Sequence, residues 1–381
     1  MSSSTKRMET WFTRFCVEYT ASRCAMLICV AGEITISRLR RQAIAATLFA
    51  PTTLKQAIEK LGFVQCDPIR APARAQDLIL RLRAADYRAG DLERCYPDLE
   101  IEEDYLYAYG FVPEATWRLL HPRMAKRLSK MEERVRQLVC AQAKLHPREL
   151  EAHLGRKREV NAWGSYSKAT TRTLEALHYR GLLRIAGREN GVRLYQAARD
   201  QEEYLAPEER LRKLILLIAA ILAPLPERSL RATLRLLAYG APTLPDRPKV
   251  LKMLLDRGEL SAEEVQGVRY VWPAGHLDTM EAPPEVRFLA PFDPLVWDRY
   301  RFEHLWGWAY RFEAYTPPAK RRMGYYALPL LWGEEVIGWV NVTRNGGGFD
   351  AEAGFVNTKP KGRLFKQAFE REVERIRRFL R

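Results

Sequence analysis

Residues 167–196 read SKATTRTLEALHYRGLLRIAGRENGVRLYQ. Ser167 can cap a helix running Lys168 to Tyr179, because its hydroxyl can take one of the orphan amides of the first turn. Gly181 can end that helix, because glycine accepts the left-handed exit. Leu174 and Leu177 fall on an inner face, with Lys168, Thr171 and Arg172 outward. The chain continues as Leu182-Leu183-Arg184-Ile185, turns through Gly187-Arg188-Glu189-Asn190-Gly191 and returns as Val192-Arg193-Leu194-Tyr195. Asn190-Gly191 suits a type I′ turn, whose two central residues both need positive φ. Helix, short link and basic hairpin is the winged-helix layout. In it the helix enters a groove, and Arg184, Arg188 and Arg193 of the wing reach a phosphate backbone.

Outward from this module the pattern repeats and then changes. Residues 207–264 form a third helical block with short pieces at Leu230–Leu237 and Val250–Leu255. There Asp256-Arg257-Gly258 and then Val265–Trp272 again give helix, turn and strand, a further winged-helix unit. From Arg287 proline and aromatic residues rise, and alternating runs at Tyr310–Tyr315, Tyr325–Trp332 and Val336–Val342 predict a small β-rich domain, broken at Gly346-Gly347-Gly348. It closes on an amphipathic helix, Arg363–Arg381, with Phe365, Phe369, Val373, Ile376 and Leu380 on one side. On the N-terminal side, Trp117–Gln137 predicts one long helix. Arg123, Lys126, Arg127, Lys130 and Arg134 recur along it at three- and four-residue steps, a cationic stripe suited to phosphate contact. Thr52 or Thr53 can cap a helix with Leu54, Ala57, Ile58 and Leu61 inward, stopped by Gly62. A short β-like run, Phe63 to Pro68, follows.

The fold class is therefore α+β, divided as an N-terminal extension (1–34) and units at 35–145, 146–200, 201–285 and 286–381. Residues 1–33 carry a Ser-rich start and no clear period, as a start codon placed too early would produce. The chain has 381 residues, a formal net charge of +15 and 47% hydrophobic residues, which excludes a disordered chain and points to a polyanionic partner. Its six cysteines include no Cys-x-x-Cys pair and no neighbouring His cluster, so neither a zinc site nor a disulfide framework is expected, and the compartment is read as a reducing cytoplasm. No metal or cofactor is called for. The longest apolar run, Leu214 to Ala223, falls short of the roughly 20 residues a membrane span needs.

The candidate catalytic unit is Gln65-Cys66-Asp67. In a strand, Gln65 and Asp67 would project to one face about 6 to 7 Å apart, with Cys66 pointing to the core. A carboxylate beside an amide can hold one water: the amide donates and accepts, and the carboxylate takes a proton. By itself, Gln-x-Asp before a proline is more often a strand end in a turn.

The run Leu61 to Ile69, with Ala73-Arg74-Ala75 after it, resembles the signature of the YcaQ/AlkZ-type crosslink-repair DNA glycosylases. So do Trp163–Lys168 continuing to Leu177–Leu182, Leu289–Arg299, and Tyr315–Arg322 leading to Gly324-Tyr325-Tyr326. The resemblance covers nearly the whole chain from Ile36. It implies three tandem winged-helix units and a C-terminal β-barrel, and a monofunctional glycosylase for bulky and crosslinked purine adducts. It implies Gln65 and Asp67 as the catalytic pair, with Cys66 in place of the usual aliphatic residue. Its DNA contacts would come from Arg70 and Arg74 beside that pair, the Arg123–Lys130 stripe, Ser167, Lys168, Arg172, the wing arginines and the cluster Lys320-Arg321-Arg322. His178 is expected in the core, and Asp293 and Asp298 as turn residues.

The implied chemistry is physically coherent. Alkylating guanine at its ring nitrogen 7 makes the base cationic, so the glycosidic bond is weakened in advance and no strong general acid is needed. What is missing is negative charge beside the oxocarbenium-like sugar and a placed water. Asp67 supplies the charge and takes the proton, and Gln65 orients the water. The expected partner is double-stranded DNA bound by a monomer associated with the nucleoid. Two other readings remain, a winged-helix transcription regulator, which would dimerise on a defined site, and a non-catalytic lesion-binding protein.

Overall fold

A computed structural model describes residues 34–123, 127–154, 158–160, 166–199, 204–275, 283–345 and 348–381. The expected N-terminal extension lies outside the described residues. Helix α1 (Ile36–Thr47) starts where Thr35 accepts the Arg38 amide, and α2 (Leu54–Leu61) starts where Thr53 accepts the Gln56 amide. Gly62 leaves α2 in the left-handed region at φ 68°. Strand β1 (Val64–Gln65) follows, then α3 (Ala75–Leu80) and α4 (Asp91–Cys95). Next come the paired strands β2 (Ile101–Tyr105) and β3 (Tyr109–Pro113). These strands form a sheet of order β1-β3-β2, with Gln65 opposite Gly110. A Cβ on Gly110 would stand 2.3 Å from the Val64 carbonyl oxygen, so only glycine lets β1 approach this closely.

The single long helix expected over Trp117–Gln137 is two helices. Helix α5 (Glu114–Leu120) stops at His121, whose extended backbone precedes Pro122, and α6 (Lys130–Cys140) restarts from a Ser129–Glu132 capping box. Pro122 lacks the N–H that a continuous helix would need there.

Helix α7 (Pro147–Leu154) and the pair β4 (Arg158–Val160) and β5 (Tyr166–Lys168) lead into α8 (Ala169–Tyr179). Ser167 pairs with Glu159 in this ladder, and the helix begins at Ala169, one residue later than expected. Strands β6 (Leu183–Glu189) and β7 (Val192–Ala197) form the expected hairpin, with Asn190 at φ 50° and Gly191 at φ 81°. The third block is more regular than its sequence suggests. Its helices are α9 (Pro207–Ile221), α10 (Glu227–Gly240) and α11 (Arg247–Asp256), and β8 (Leu225–Pro226), β9 (Leu260–Val265) and β10 (Val268–Pro273) pair in the order β8-β10-β9.

The C-terminal sheet is a meander, β11 (Val286–Phe288), β12 (Leu328–Trp332), β13 (Glu335–Asn345) and β14 (Gly348–Phe355). Among the described residues no ladder joins β14 back to β11, so the sheet is open rather than a closed barrel. The alternation at Tyr310–Tyr315 is not a strand. Its periodicity comes from packing: Tyr310 donates to the Ala327 carbonyl, and Phe312 meets Tyr326 at 5.2 Å. Two short helices, α12 (Pro294–Trp297) and α13 (Arg299–Trp306), begin at Asp293 and Asp298, whose carboxylates accept the Leu295 and Arg301 amides. The last helix, α14 (Arg363–Phe379), buries Phe365, Ile376 and Phe379. One continuous apolar core takes in α2, the β6–β7 hairpin, the meander and α14, so the C-terminal sheet is fused to the segment that carries Gln65.

Candidate active site and nucleic-acid interface

Strand β1 ends at Gln65, although the Cys66 amide still reaches the Tyr109 carbonyl at 3.0 Å. Asp67 lies just beyond the ladder. Its amide points at Gln76 Oε1 at 3.4 Å, and its own carboxylate accepts the Ile69 amide at 2.9 Å, an Asx turn leading out through the exposed Pro68. Asp67 is 8% exposed. Burial raises the Asp67 carboxyl above its ordinary value of 3.8, and the Ile69 amide partly opposes that rise. Cys66 packs towards the core, where burial pushes its thiol up to about 11, so it is no nucleophile.

Gln65 is half-buried, and Trp297 Nε1 donates to its Oε1 at 2.9 Å. An indole N–H can only donate, so this contact fixes which end of the amide is oxygen and leaves the NH2 as the end that can donate to a water or a sugar. Trp297 is itself held edge-on by Tyr107 at 4.7 Å, and Tyr107 by Phe63 at 4.8 Å. Sequence reasoning quoted Trp297 inside a matching stretch but gave it no role. Its partner is 232 residues away, and no local signal reports such a bond. Trp297→Phe keeps a ring there and removes the donor. Single-turnover rates are expected to fall about three- to tenfold with little change in melting temperature, the size of one lost hydrogen bond; an unchanged rate would remove Trp297 from the site.

The basic candidates fall into two groups. Arg123 is fully buried: it pairs with Asp104 at 2.7 Å, lies 4.7 Å from the Tyr179 ring centre and binds the Gly240 carbonyl. It therefore does not belong to the groove-facing stripe. The wing arginines are also turned inward. Arg184 pairs with Glu102 at 2.8 Å, Arg188 grips the buried Glu103 through two bonds at 3.1 and 2.6 Å, and Arg193 sits 4.9 Å over Tyr109 and 3.5 Å from Glu103. The wing is thus clamped onto β2 rather than offered to a phosphate backbone. Arg74 pairs with Glu93 and is mostly covered. Burial, then the Arg70 and Arg188 charges, lower its pKa, which places three cations close together beside the segment that carries Gln65 and Asp67. Arg70, Arg127, Lys130, Lys320 and Arg322 are exposed and make no ion pair among the described residues. Arg172 is also exposed, on α8. Arg321 is half-covered and lies 5.0 Å from the Tyr325 ring centre. Lys126 lies outside the described residues, and of Ser167 and Lys168 only the backbone is described. His178 is core, as expected, with Nε2 2.9 Å from the Glu103 carbonyl oxygen.

Among the described residues no group of His, Cys, Asp and Glu could hold a metal ion. The model of the family described as DNA glycosylase AlkZ-like matches residues 58–379. Among solved structures, the fold is similar to that of Streptomyces sahachiroi DNA glycosylase AlkZ, with a TM-score of 0.60, over 91% of this chain and 97% of that one, at 16% sequence identity.

Proposed function

The chain belongs to the DNA glycosylase AlkZ-like family and is a hydrolase of N-glycosyl bonds in DNA, and we propose that its substrate is a purine already made cationic by alkylation, 7-alkylguanine above all, including one held in an interstrand crosslink. The observation that carries this reading is a covered carboxylate, Asp67, two residues along the chain from an amide, Gln65, whose oxygen is tied to Trp297. Such a pair supplies charge to the sugar and a seat for one water. It offers the leaving base no proton when Asp67 is ionised, and a cationic purine needs none.

In this mechanism the duplex is held by exposed cations, and the deoxyribose of the adduct is brought to Asp67. As the glycosidic bond lengthens, positive charge gathers on the sugar and Asp67 stabilises it at short range. The covered setting strengthens that attraction relative to open water. Asp67 then takes a proton from the water that attacks the sugar carbon, while the purine leaves as a neutral base. The Gln65 NH2 keeps the water in place. We read α8 with the β6–β7 hairpin, and α10–α11 with β9–β10, as winged-helix units of a monomer. The first of these uses its helix rather than its wing for DNA. Release of free 7-methylguanine from alkylated duplex, abolished in Asp67→Asn, is the test.

The two groups of cations make separate predictions. Changing Lys320 and Arg322 to Gln should weaken binding to all duplexes alike and flatten the log–log salt dependence by about 0.9 per lost phosphate contact. Arg188→Gln should leave the salt slope unchanged and lower the melting temperature, because it leaves the Glu103 carboxylate, 1% exposed, without its bidentate partner. Salt titrations of binding beside thermal melts decide both; the opposite assignment would return the wing to the DNA.

A further inference from the structure

The segment 310–326 carries aromatic side chains to which the reaction just described gives no role. The buried Glu313 carboxylate accepts three successive amides, from Arg322 at 2.9 Å, Met323 at 2.8 Å and Gly324 at 3.3 Å. Asn341 donates to the Met323 carbonyl at 2.7 Å. Gly324 sits at φ 129°, and a Cβ there would stand 2.2 Å from Asn341 Oδ1. Arg321 donates to the Thr316 carbonyl at 2.8 Å, which closes the loop on itself. This loop is fixed by its own hydrogen bonds, and it presents two large aromatic side chains to solvent, Tyr315 at 79% and Tyr325 at 43% exposure.

Tyr315 is tied towards the catalytic segment by a run of ring contacts, and Tyr325 precedes Tyr326, a member of that run, in the chain. Phe312 meets Tyr315 at 6.1 Å, Tyr326 at 5.2 Å and Phe292 at 5.0 Å. Phe292 lies in the segment that leads into α12 and so to Trp297 and Gln65. Tyr326 is 4% exposed, and its hydroxyl has no hydrogen-bond partner among the described residues. It lies close enough to Asp67 for the carboxylate to raise the phenol, after burial, with Tyr315 and Tyr325 acting in the same sense.

Two exposed rings on a fixed loop, with Lys320 and Arg322 exposed beside them, match the two halves of a nucleotide: a flat base to stack and a phosphate to attract. We propose that Tyr315 and Tyr325 form a stacking platform for the alkylated purine base that Asp67 acts on. The proposal rests on the glycosylase reading of Gln65 and Asp67 and adds the surface that selects the base. A stacked cationic purine gains more from a π face than a neutral one does, so the platform favours the substrate that the carboxylate can process.

The test separates the platform from the chemistry. In the full-length Asp67→Asn protein, affinity is measured for a duplex with one 7-methylguanine and for the same duplex undamaged. Adding Tyr315→Ala or Tyr325→Ala should weaken lesion binding about tenfold, the scale of one lost base stack. Affinity for undamaged duplex should change less than about twofold, and Tyr→Phe at either position should restore the lesion preference because the π face returns. Both residues are exposed, so folding should survive, and thermal melts verify that. Equal losses on the two duplexes, no loss on either, or failure of the Phe variants to restore binding would each overturn the platform. Failure of the wild-type protein to release any base would instead overturn the assignment of Gln65 and Asp67, and would leave the binding comparison as an independent result.

Discussion

Asp67→Asn is expected to slow single-turnover base release by about a hundred- to ten-thousand-fold while leaving DNA affinity nearly unchanged. The amide keeps an oxygen that can accept the Ile69 N–H, so the turn after β1 survives. What disappears is the negative charge beside the sugar and the acceptor for the water's proton. The variant should melt no lower than the wild type, because a neutral amide is easier to bury than a carboxylate. A pH profile adds a second check. Burial raises Asp67, and the working form is ionised, so activity is lost as pH falls through the raised pKa. The acid limb should therefore have its midpoint above 3.8, the ordinary Asp value, and should vanish in Asp67→Asn. A wild-type limb centred at or below 3.8 would contradict the covered setting of this carboxylate.

The second large effect lies away from the chemistry. Arg83 and Asp293 are both fully buried and joined by two bonds, at 2.8 and 3.0 Å. Arg83 also binds the Thr47 carbonyl at 2.7 Å and the Ile79 carbonyl at 2.8 Å. Asp293→Ala would leave a buried guanidinium without its counter-charge, and breaking such a pair costs about 3 to 5 kcal/mol. It also removes the cap of α12, the helix that ends in Trp297. Lower stability and slower base release are both expected, measured by denaturant unfolding and single-turnover kinetics. Asp293→Asn keeps the cap and should recover part of the rate. Wild-type stability in Asp293→Ala would show that this pair does not hold the two segments together.

Much of the fold was legible locally. Thr53, Gly62 and the Asn190-Gly191 turn announce their structures because each satisfies backbone groups or torsions within a few residues. The candidate pair was legible as a segment, since Gln65 and Asp67 lie within three residues. Their setting was not. A strand of two residues ends before Asp67, so simple alternation stops one step short of the carboxylate. The wing arginines looked like free cations because their partners Glu102 and Glu103 lie about 85 residues earlier, on β2. Arg123 looked like part of a helical stripe until the break at Pro122 turned it inward to Asp104. In each case sequence distance hid a carboxylate, and charge was misread as surface. Tyr310–Tyr315 shows the converse, an apolar alternation produced by ring packing without any strand.

A site that acts on bases already cationic must discriminate lesions by charge. One series tests it: single-turnover release from matched duplexes carrying 7-methylguanine, a 7-alkylguanine crosslink, uracil, 8-oxoguanine or ethenoadenine, each with wild type and Asp67→Asn. Fast release of both 7-alkylguanine forms, slow or undetectable release of the three neutral lesions, and collapse of the fast reactions in the variant are expected. Comparable wild-type rates for uracil and 7-methylguanine would contradict discrimination by charge.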